Sequence, residues 1–247
     1  MTTEPALVFD AVEKTYADGT AALRPTSFSL NPAELTAIVG PSGCGKSTLL
    51  RIAAGLVAPT AGTVRVVADR LGFVFQDPTL LPWRTVLANI ELLSELHGLP
   101  AGERRRRALD AIESVGLTGF EQHHPKQLSG GMRMRVSLAR WLTLEPGVFL
   151  FDEPFGALDE LTRERLNDEL LRLFGELGFA ALFVTHSIFE AVFLSSRVLV
   201  MSDRPGRIVA DITVPFDYPR PQELRFDPTL AEVAGQVSAA LRDGGQP

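Results

Sequence analysis

Gly40-Pro41-Ser42-Gly43-Cys44-Gly45-Lys46-Ser47-Thr48 is the stretch on which the reading of this chain turns. Glycines at its first and sixth positions, followed by Lys-Ser, make a phosphate-loop pattern. The glycines let backbone N–H groups turn inward around a β-phosphate, and the loop feeds a helix whose amino end favours anions. Lys46 brings a compact positive charge to the β- and γ-phosphates, and Ser47 offers a hydroxyl to Mg²⁺. Composition alone would produce such a match in roughly one chain in 400. An apolar run, Thr36–Val39, precedes the loop and a helical pattern, Thr48–Ala54, follows it, which is the context the motif requires. Cys44 inside the loop reads as a small residue tolerated in a tight turn rather than as a redox-sensitive thiol.

Working outward, three more short apolar runs end in polar residues. Gly72–Phe75 leads into Gln76, Val148–Phe151 into Asp152-Glu153-Pro154, and Ala181–Val184 into Thr185-His186. Continuous apolar character marks strands covered on both faces, as in a parallel sheet. Ligands of open α/β sheets sit outside the carboxyl ends of the strands, so the Gly40 loop, Gln76, Asp152, Glu153 and His186 are expected around one site. Asp152 suits the Mg²⁺ shell, and Glu153 suits a base that deprotonates a water in line with the γ-phosphate. His186 could reach the γ-phosphate, and Gln76 the metal or the attacking water; each is weak evidence taken alone. Between the strands, Val86 to Leu96, Leu109 to Val115 and Leu161 to Leu177 carry helical periodicity. No strand signal lies between about Asp77 and Arg140, which predicts a helical insertion. Pro215, Pro219 and Pro221 break regular structure, and a short final helix is predicted over Leu230–Leu241.

The 247 residues are 45% hydrophobic and 22% charged, which excludes a disordered or fibrous chain and suits one α/β domain with a sizeable core. A net charge of −6 argues against general nucleic-acid binding. Cys44 is the single cysteine, so no intrachain disulfide forms and a reducing compartment is expected. Met1 to Phe9 lacks the basic start and apolar core of a signal peptide. The longest apolar stretch, Ala180 to Met201, is interrupted by His186, Glu190, Ser195, Ser196 and Arg197 and reads as two strands around a helix, not as a membrane span. Of 24 basic residues only Lys14, Lys46 and Lys126 are lysine, so each lysine invites a specific explanation.

A second glycine motif, Leu128-Ser129-Gly130-Gly131-Met132, opens a predicted helix through Arg140 and Trp141. Ser129 is a good N-cap, and the glycines expose N–H groups at a positive helix end. Two anion-binding helix starts in one small domain suggest a nucleotide gripped from both sides. Here the chain resembles the nucleotide-binding subunit of ATP-binding-cassette (ABC) transporters over nearly its whole length. The phosphate loop, Gln76, Leu128–Gly131, Phe151-Asp152-Glu153, Ala157-Leu158-Asp159 and His186 occur in that family's order.

The resemblance implies a P-loop NTPase fold with a mixed central sheet, an ABC-type ATPase core and an inserted helical subdomain. It implies ATP and Mg²⁺ as ligands, with Tyr16 stacking on adenine and Gly40, Pro41, Ser42, Gly43, Cys44, Gly45, Lys46, Ser47 and Thr48 holding the nucleotide. Ser47, Gln76 and Asp152 would hold the metal, and Glu153, His186 and Gln76 would serve hydrolysis, with Glu153 as the base. Ser129, Gly130 and Gly131 would act across a head-to-tail homodimer, and Asp159 would couple its two sites.

A narrower similarity, to the nitrate/sulfonate/taurine importer group, rests on Asp77-Pro78, Leu81-Pro82-Trp83-Arg84-Thr85-Val86, Glu153–Arg163 and Met201-Ser202-Asp203-Arg204-Pro205-Gly206. Met132 and Ser187 depart from the wider family, which usually has Gln at the first position and often Asp at the second.

These similarities imply a nucleotide-binding domain over 6–228, with the helical subdomain at about 77–140, and a short tail at 229–247. They imply permease subunits as partners, an extracytoplasmic substrate-binding protein indirectly, no nucleic acid, and a peripheral position on the cytoplasmic face of the inner membrane. The apolar cluster Leu80, Leu81 and Trp83 is then a candidate docking point, against the alternative that Trp83 is core. A soluble ABC-type ATPase is the competing reading, but such proteins usually carry two cassettes or long coiled coils, and this chain shows neither. A phosphate-loop kinase would leave Leu128–Gly131 without a purpose. The Arg104–Arg107 run reads as a solvated helix face beside Glu103 and Asp110, and His123-His124 as a loop without metal-ligand spacing.

Overall fold

Strand β3 (Leu35–Val39), which leads into the phosphate loop, is buried at every residue, and its neighbours explain why. The computed structural model describes residues 4–244. The central six-stranded sheet runs β5 (Leu71–Val74), β6 (Val148–Asp152), β7 (Ala180–Val184), β3, β8 (Arg197–Met201), β9 (Ile208–Thr213). All its pairings are parallel except β8 with β9, which makes the sheet mixed. Alternate residues feed two separate cores. Ala37, Val39, Phe149, Phe151, Ala181, Phe183, Val198 and Val200 face one, and Ile38, Val148, Leu150, Leu182, Val184 and Leu199 face the other. Two buried faces remove the polar half of the period-two pattern, which is why these strands read as unbroken apolar runs. Each fully buried Phe or Leu here contributes roughly 1.5–3 kcal/mol.

One face is covered by α1 (Lys46–Ala53) and by a second, antiparallel sheet ordered β2 (Ala21–Leu30), β1 (Leu7–Thr15), β4 (Ala61–Val66). The other face is covered by α2 (Val86–Leu96), α3 (Ala101–Ser114), α4 (Gly130–Leu142), α5 (Glu160–Leu177), α6 (Ile188–Leu194) and α7 (Pro228–Gly244). Between β5 and β6 the chain is helical, as the sequence predicts. The final helix is longer than the predicted Leu230–Leu241 and buries Leu230, Val233 and Val237 in the core. Just ahead of it, Arg220 donates to the carbonyls of Val192, Phe193 and Ser195 at 2.7–3.1 Å and so caps the carboxyl end of α6.

The insertion is held together by a buried polar hub. Asn89 on α2 is fully buried and donates to the carbonyls of Leu81, Arg84 and Thr85 at 3.0–3.1 Å, while its own oxygen accepts from Leu81 N at 2.8 Å. Arg140 on α4 donates to both the carbonyl and the side chain of Asn89 at 3.1 Å, and burial pulls its pKa down to about 10. This hub fixes the segment 79–85 yet leaves Trp83 71% exposed, so Trp83 is not a core residue. Within the Arg104–Arg107 run, Arg105, Arg106 and Arg107 form ion pairs with Glu91, Glu103, Asp110 and Glu145, which fits a solvated helix face. Among the described residues no helix is long and apolar enough to cross a membrane.

Candidate functional site

The phosphate loop leaves β3 and enters α1 through Gly45, whose φ of 110° is left-handed backbone that an L-residue rarely adopts. A Cβ at Gly45 would lie 2.9 Å from the Ala22 carbonyl, so the position needs glycine for space as well as conformation. No side chain caps α1, and its first N–H groups stay available to an anion. Lys46 is 5% exposed and donates to the carbonyls of Gly40 and Pro41 at 2.8 and 3.0 Å. Those two bonds hold the ammonium over the loop and leave its third proton for a phosphate oxygen. The Cys44 thiol is buried and its pKa is pushed up by that burial, which suits an inert packing residue.

The ends of β5 and β6 meet this loop. A cavity of about 490 Å³ is lined by the loop together with Tyr16, Gln76, Asp152 and Glu153. His186, beyond the end of β7, lies outside the cavity lining but approaches Glu153. The Ser47 hydroxyl donates to Asp152 Oδ1 at 2.7 Å. Burial pushes the Asp152 carboxyl above its ordinary range, with the Ser47 bond partly opposing it. Hydroxyl, carboxylate and amide oxygens at one place are the hard donors that Mg²⁺ accepts beside phosphates, so Ser47, Asp152 and Gln76 fit that ion. Glu153 follows β6 with φ of 48°, a left-handed conformation that costs a non-glycine residue roughly 1 kcal/mol or more. Its N–H donates to the Val184 carbonyl at 3.0 Å, so the sheet itself holds this backbone. Glu153 Oε2 lies 3.4 Å from His186 Nδ1. A Cβ at Gly156 would lie 3.4 Å from His186 and 3.6 Å from Gln76, so this glycine sits where the two side chains approach one another.

Tyr16 stands at the rim, its hydroxyl 3.2 Å from Thr48 Oγ1 and its ring 5.2 Å from the Lys14 ammonium. Lys14 is itself anchored on the Ala58 carbonyl at 2.7 Å, which accounts for one of the scarce lysines. Sequence reasoning missed Arg204, which lines the same cavity and is held by Nε donation to the Ala21 carbonyl at 3.2 Å. The signal was available: Val198–Met201 is a fifth apolar strand, and Arg204 lies three residues beyond its carboxyl end. A second cleft, of about 430 Å³ between α3, α5 and the lower edge of the sheet, is floored by Phe149 and Phe179, far from these strand ends.

Ser129, Gly130, Gly131 and Asp159 do not line the phosphate cavity. Ser129 caps α4 by accepting from Met132 N at 3.2 Å. Asp159 caps α5 by accepting from Thr162 N at 3.0 Å, and the Thr162 hydroxyl and N–H hold its carboxyl below the ordinary range. The two helix starts pack against each other so closely that a Cβ at Gly130 would lie 2.9 Å from Leu158 Cδ2, and one at Gly131 2.8 Å from Thr162 Cγ2. The glycine pair thus serves packing as well as N–H exposure.

The sequence profile described as ABC transporter matches residues 23–156. An aliphatic sulfonates import ATP-binding protein of Pseudomonas syringae pv. syringae is 45% identical over 226 residues, covering 91% of each chain. A taurine import ATP-binding protein of Yersinia pestis bv. Antiqua is 44% identical over 206 residues, 80% of each chain. Among solved structures, a dimeric post-hydrolysis state of an ATP-binding cassette bound to ADP and Pi superposes with a TM-score of 0.74 at 33% identity, over 85% of this chain and 100% of that one. With that much of the chain matched and the phosphate-loop cavity built as described, the chain belongs to the ABC transporter family as one of its ATP-binding, ATP-hydrolysing cassettes.

Proposed function

We propose that this cassette powers the uptake of a small sulfonate, taurine, nitrate or related nutrient, as part of an importer. The names of its relatives support that substrate class, in line with the similarity to the nitrate/sulfonate/taurine importer group read from Asp77–Val86. On this reading 6–228 is the nucleotide-binding domain with the helical subdomain inserted at about 77–140, and 229–247 is the tail. Two copies close head to tail around two ATP molecules, permease subunits dock on the exposed Trp83 beside Leu80 and Leu81, and a substrate-binding protein delivers cargo from outside. The assembly sits on the cytoplasmic face of the inner membrane.

The observation that carries the mechanism is the 3.4 Å approach of His186 to Glu153, which lines the same cavity as Lys46. Tyr16 stacks on adenine, and the loop N–H groups with Lys46 hold the β- and γ-phosphates. Ser47, Asp152 and Gln76 would hold Mg²⁺, which would supply positive charge against the phosphates. Glu153 takes a proton from a water in line with the γ-phosphate, and His186 fixes the γ-phosphate from the other side. Ser129 and the Gly130 and Gly131 N–H groups of the second copy complete the phosphate shell, and Asp159 couples the two sites. Glu153→Gln should keep ATP binding and lower turnover about 100-fold to 10,000-fold, the usual contribution of a general base. Hydrolysis by this variant near the wild-type rate, measured with uptake in proteoliposomes, would refute the assignment.

A further inference from the structure

The loop that carries His186 is held on both sides by one buried residue, Glu190, through its carboxylate on Thr185 and its backbone N–H on Ser187. Glu190 is only 6% exposed and occupies the third residue of α6, where a glutamate commonly bonds back to the N-cap backbone. Here that closure runs through Thr185. The Ser187 N–H donates to Thr185 Oγ1 at 3.0 Å, and Thr185 Oγ1 donates in turn to Glu190 Oε2 at 2.5 Å. Ser187 Oγ accepts from Glu190 N at 3.3 Å and completes the ring. Residues on either side of His186 are therefore fixed, while the imidazole itself stays exposed toward Glu153.

Glu190 is faced by Thr185, Arg163, Asn167 and His186, and burial dominates its environment. Glu190 Oε1, Asn167 Oδ1 and Arg163 Nε are buried without a protein hydrogen-bond partner. Arg163 Nη2 donates to the Leu158 carbonyl at 3.0 Å, immediately before Asp159. Among the described residues the Glu190 carboxylate is thus anchored by the Thr185 hydroxyl.

We infer that Glu190 is a positioning residue: through Thr185 and Ser187 it sets His186 against the γ-phosphate. The inference rests on the proposed role of His186, so its test is a double-mutant cycle with that residue. In the full transporter, Glu190→Ala should lower kcat at least 10-fold with KM for ATP within 2-fold of wild type. Glu190→Gln should recover most of that loss, because its amide oxygen still accepts from Thr185. In a His186→Ala background, Glu190→Ala should cause no further loss. Labelled His186 imidazole signals should lose their ATP-induced shift in Glu190→Ala and keep it in Glu190→Gln; these signals decide the matter if His186→Ala turns over too slowly to measure. Should Glu190→Ala not fold, Thr185→Val removes the same hydroxyl bridge and is expected to show the same kcat loss. Additive losses in the cycle, or a lowered melting temperature with wild-type kcat and imidazole shifts, would overturn the inference. Wild-type turnover by His186→Ala itself would instead overturn the role proposed for His186.

Discussion

Two helix starts in this molecule look alike in sequence and are built oppositely. At α1, Gly45 provides no cap, the N–H groups are unclaimed, and Lys46, Ser47, Asp152 and Glu153 enclose the space in front of them. At α4, Ser129 already satisfies one N–H group, the serine is exposed, and no other strand-end residue faces it across a cavity. The first is a site that a triphosphate can fill within one chain. The second is a surface, and it becomes a site only when another molecule brings the rest. Both need glycine, but for different reasons: α1 for left-handed backbone, α4 for a close approach to α5.

The most demanding way to break this comparison is to damage each half separately. Lys46→Ala removes the phosphate grip and should weaken ATP binding roughly 10-fold to 100-fold, the range for a charged hydrogen bond. Ser129→Arg should leave monomer ATP binding unchanged and abolish turnover. Each homodimer is inactive, whereas the mixed dimer has one site with both halves intact. Mixing should therefore restore part of the ATPase activity, or at least ATP trapping in the intact site. If mixed dimers are demonstrably present and neither returns, Ser129 does not act across the interface.

The packing role of the second glycine pair is sharpened by Gly131→Ala. The added methyl would meet Thr162 Cγ2 at 2.8 Å, and overpacking of this kind costs about 1–3 kcal/mol. Thr162→Ser removes that methyl, so the double variant should regain most of the stability in denaturant unfolding. Failure of the second change to rescue would mean that the glycine serves N–H exposure alone.

A smaller effect concerns the rim of the complete site. Arg204→Ala should weaken ATP binding about 3-fold to 10-fold, since Lys46 and the loop still hold the phosphates and a guanidinium contact is worth roughly 1 kcal/mol. Titration calorimetry reads this directly, and unchanged affinity removes Arg204 from the site.

The smallest effect is electrostatic, and its sign differs between the two regions. Burial raises the Asp152 carboxyl, so the folded state holds a proton that the unfolded state releases, and stability falls as pH rises from the ordinary carboxylate value through the raised one. The Asp159 carboxyl is lowered by its cap bonds, so its contribution is present above the ordinary value and is lost as pH falls through the lowered one. Melting curves from acid to neutral pH should show wild type losing ground to Asp152→Asn and gaining on Asp159→Asn. Parallel trends for the two variants would contradict the contrast.

Much of the site is legible in the sequence because strand ends and ligand positions coincide in a parallel sheet. The apolar runs before Gly40, Gln76 and Asp152 end at one cavity, and His186, at the end of the fourth run, approaches that cavity's Glu153. Arg204 obeys the same rule but follows a strand whose end was not counted. Asn89 and Arg140 were not legible, since a polar residue at helical spacing reads as surface until the hub that pairs them is seen. Glu190 was noticed only as a charge that interrupts an apolar stretch, and its hold on the His186 loop depends on a hydroxyl five residues earlier.

By itself, then, the sequence determined the phosphate loop, the covered sheet, the helical insertion and the family resemblance, because local backbone chemistry and residue periodicity write these directly into the chain. Tertiary structure alone decided that Trp83 faces solvent, that Gly131 is pressed on Thr162, and that a buried Glu190 takes the Thr185 hydroxyl beside His186. Each of those depends on which elements meet across the fold, and contacts between distant segments leave no period in the sequence for a reader to find.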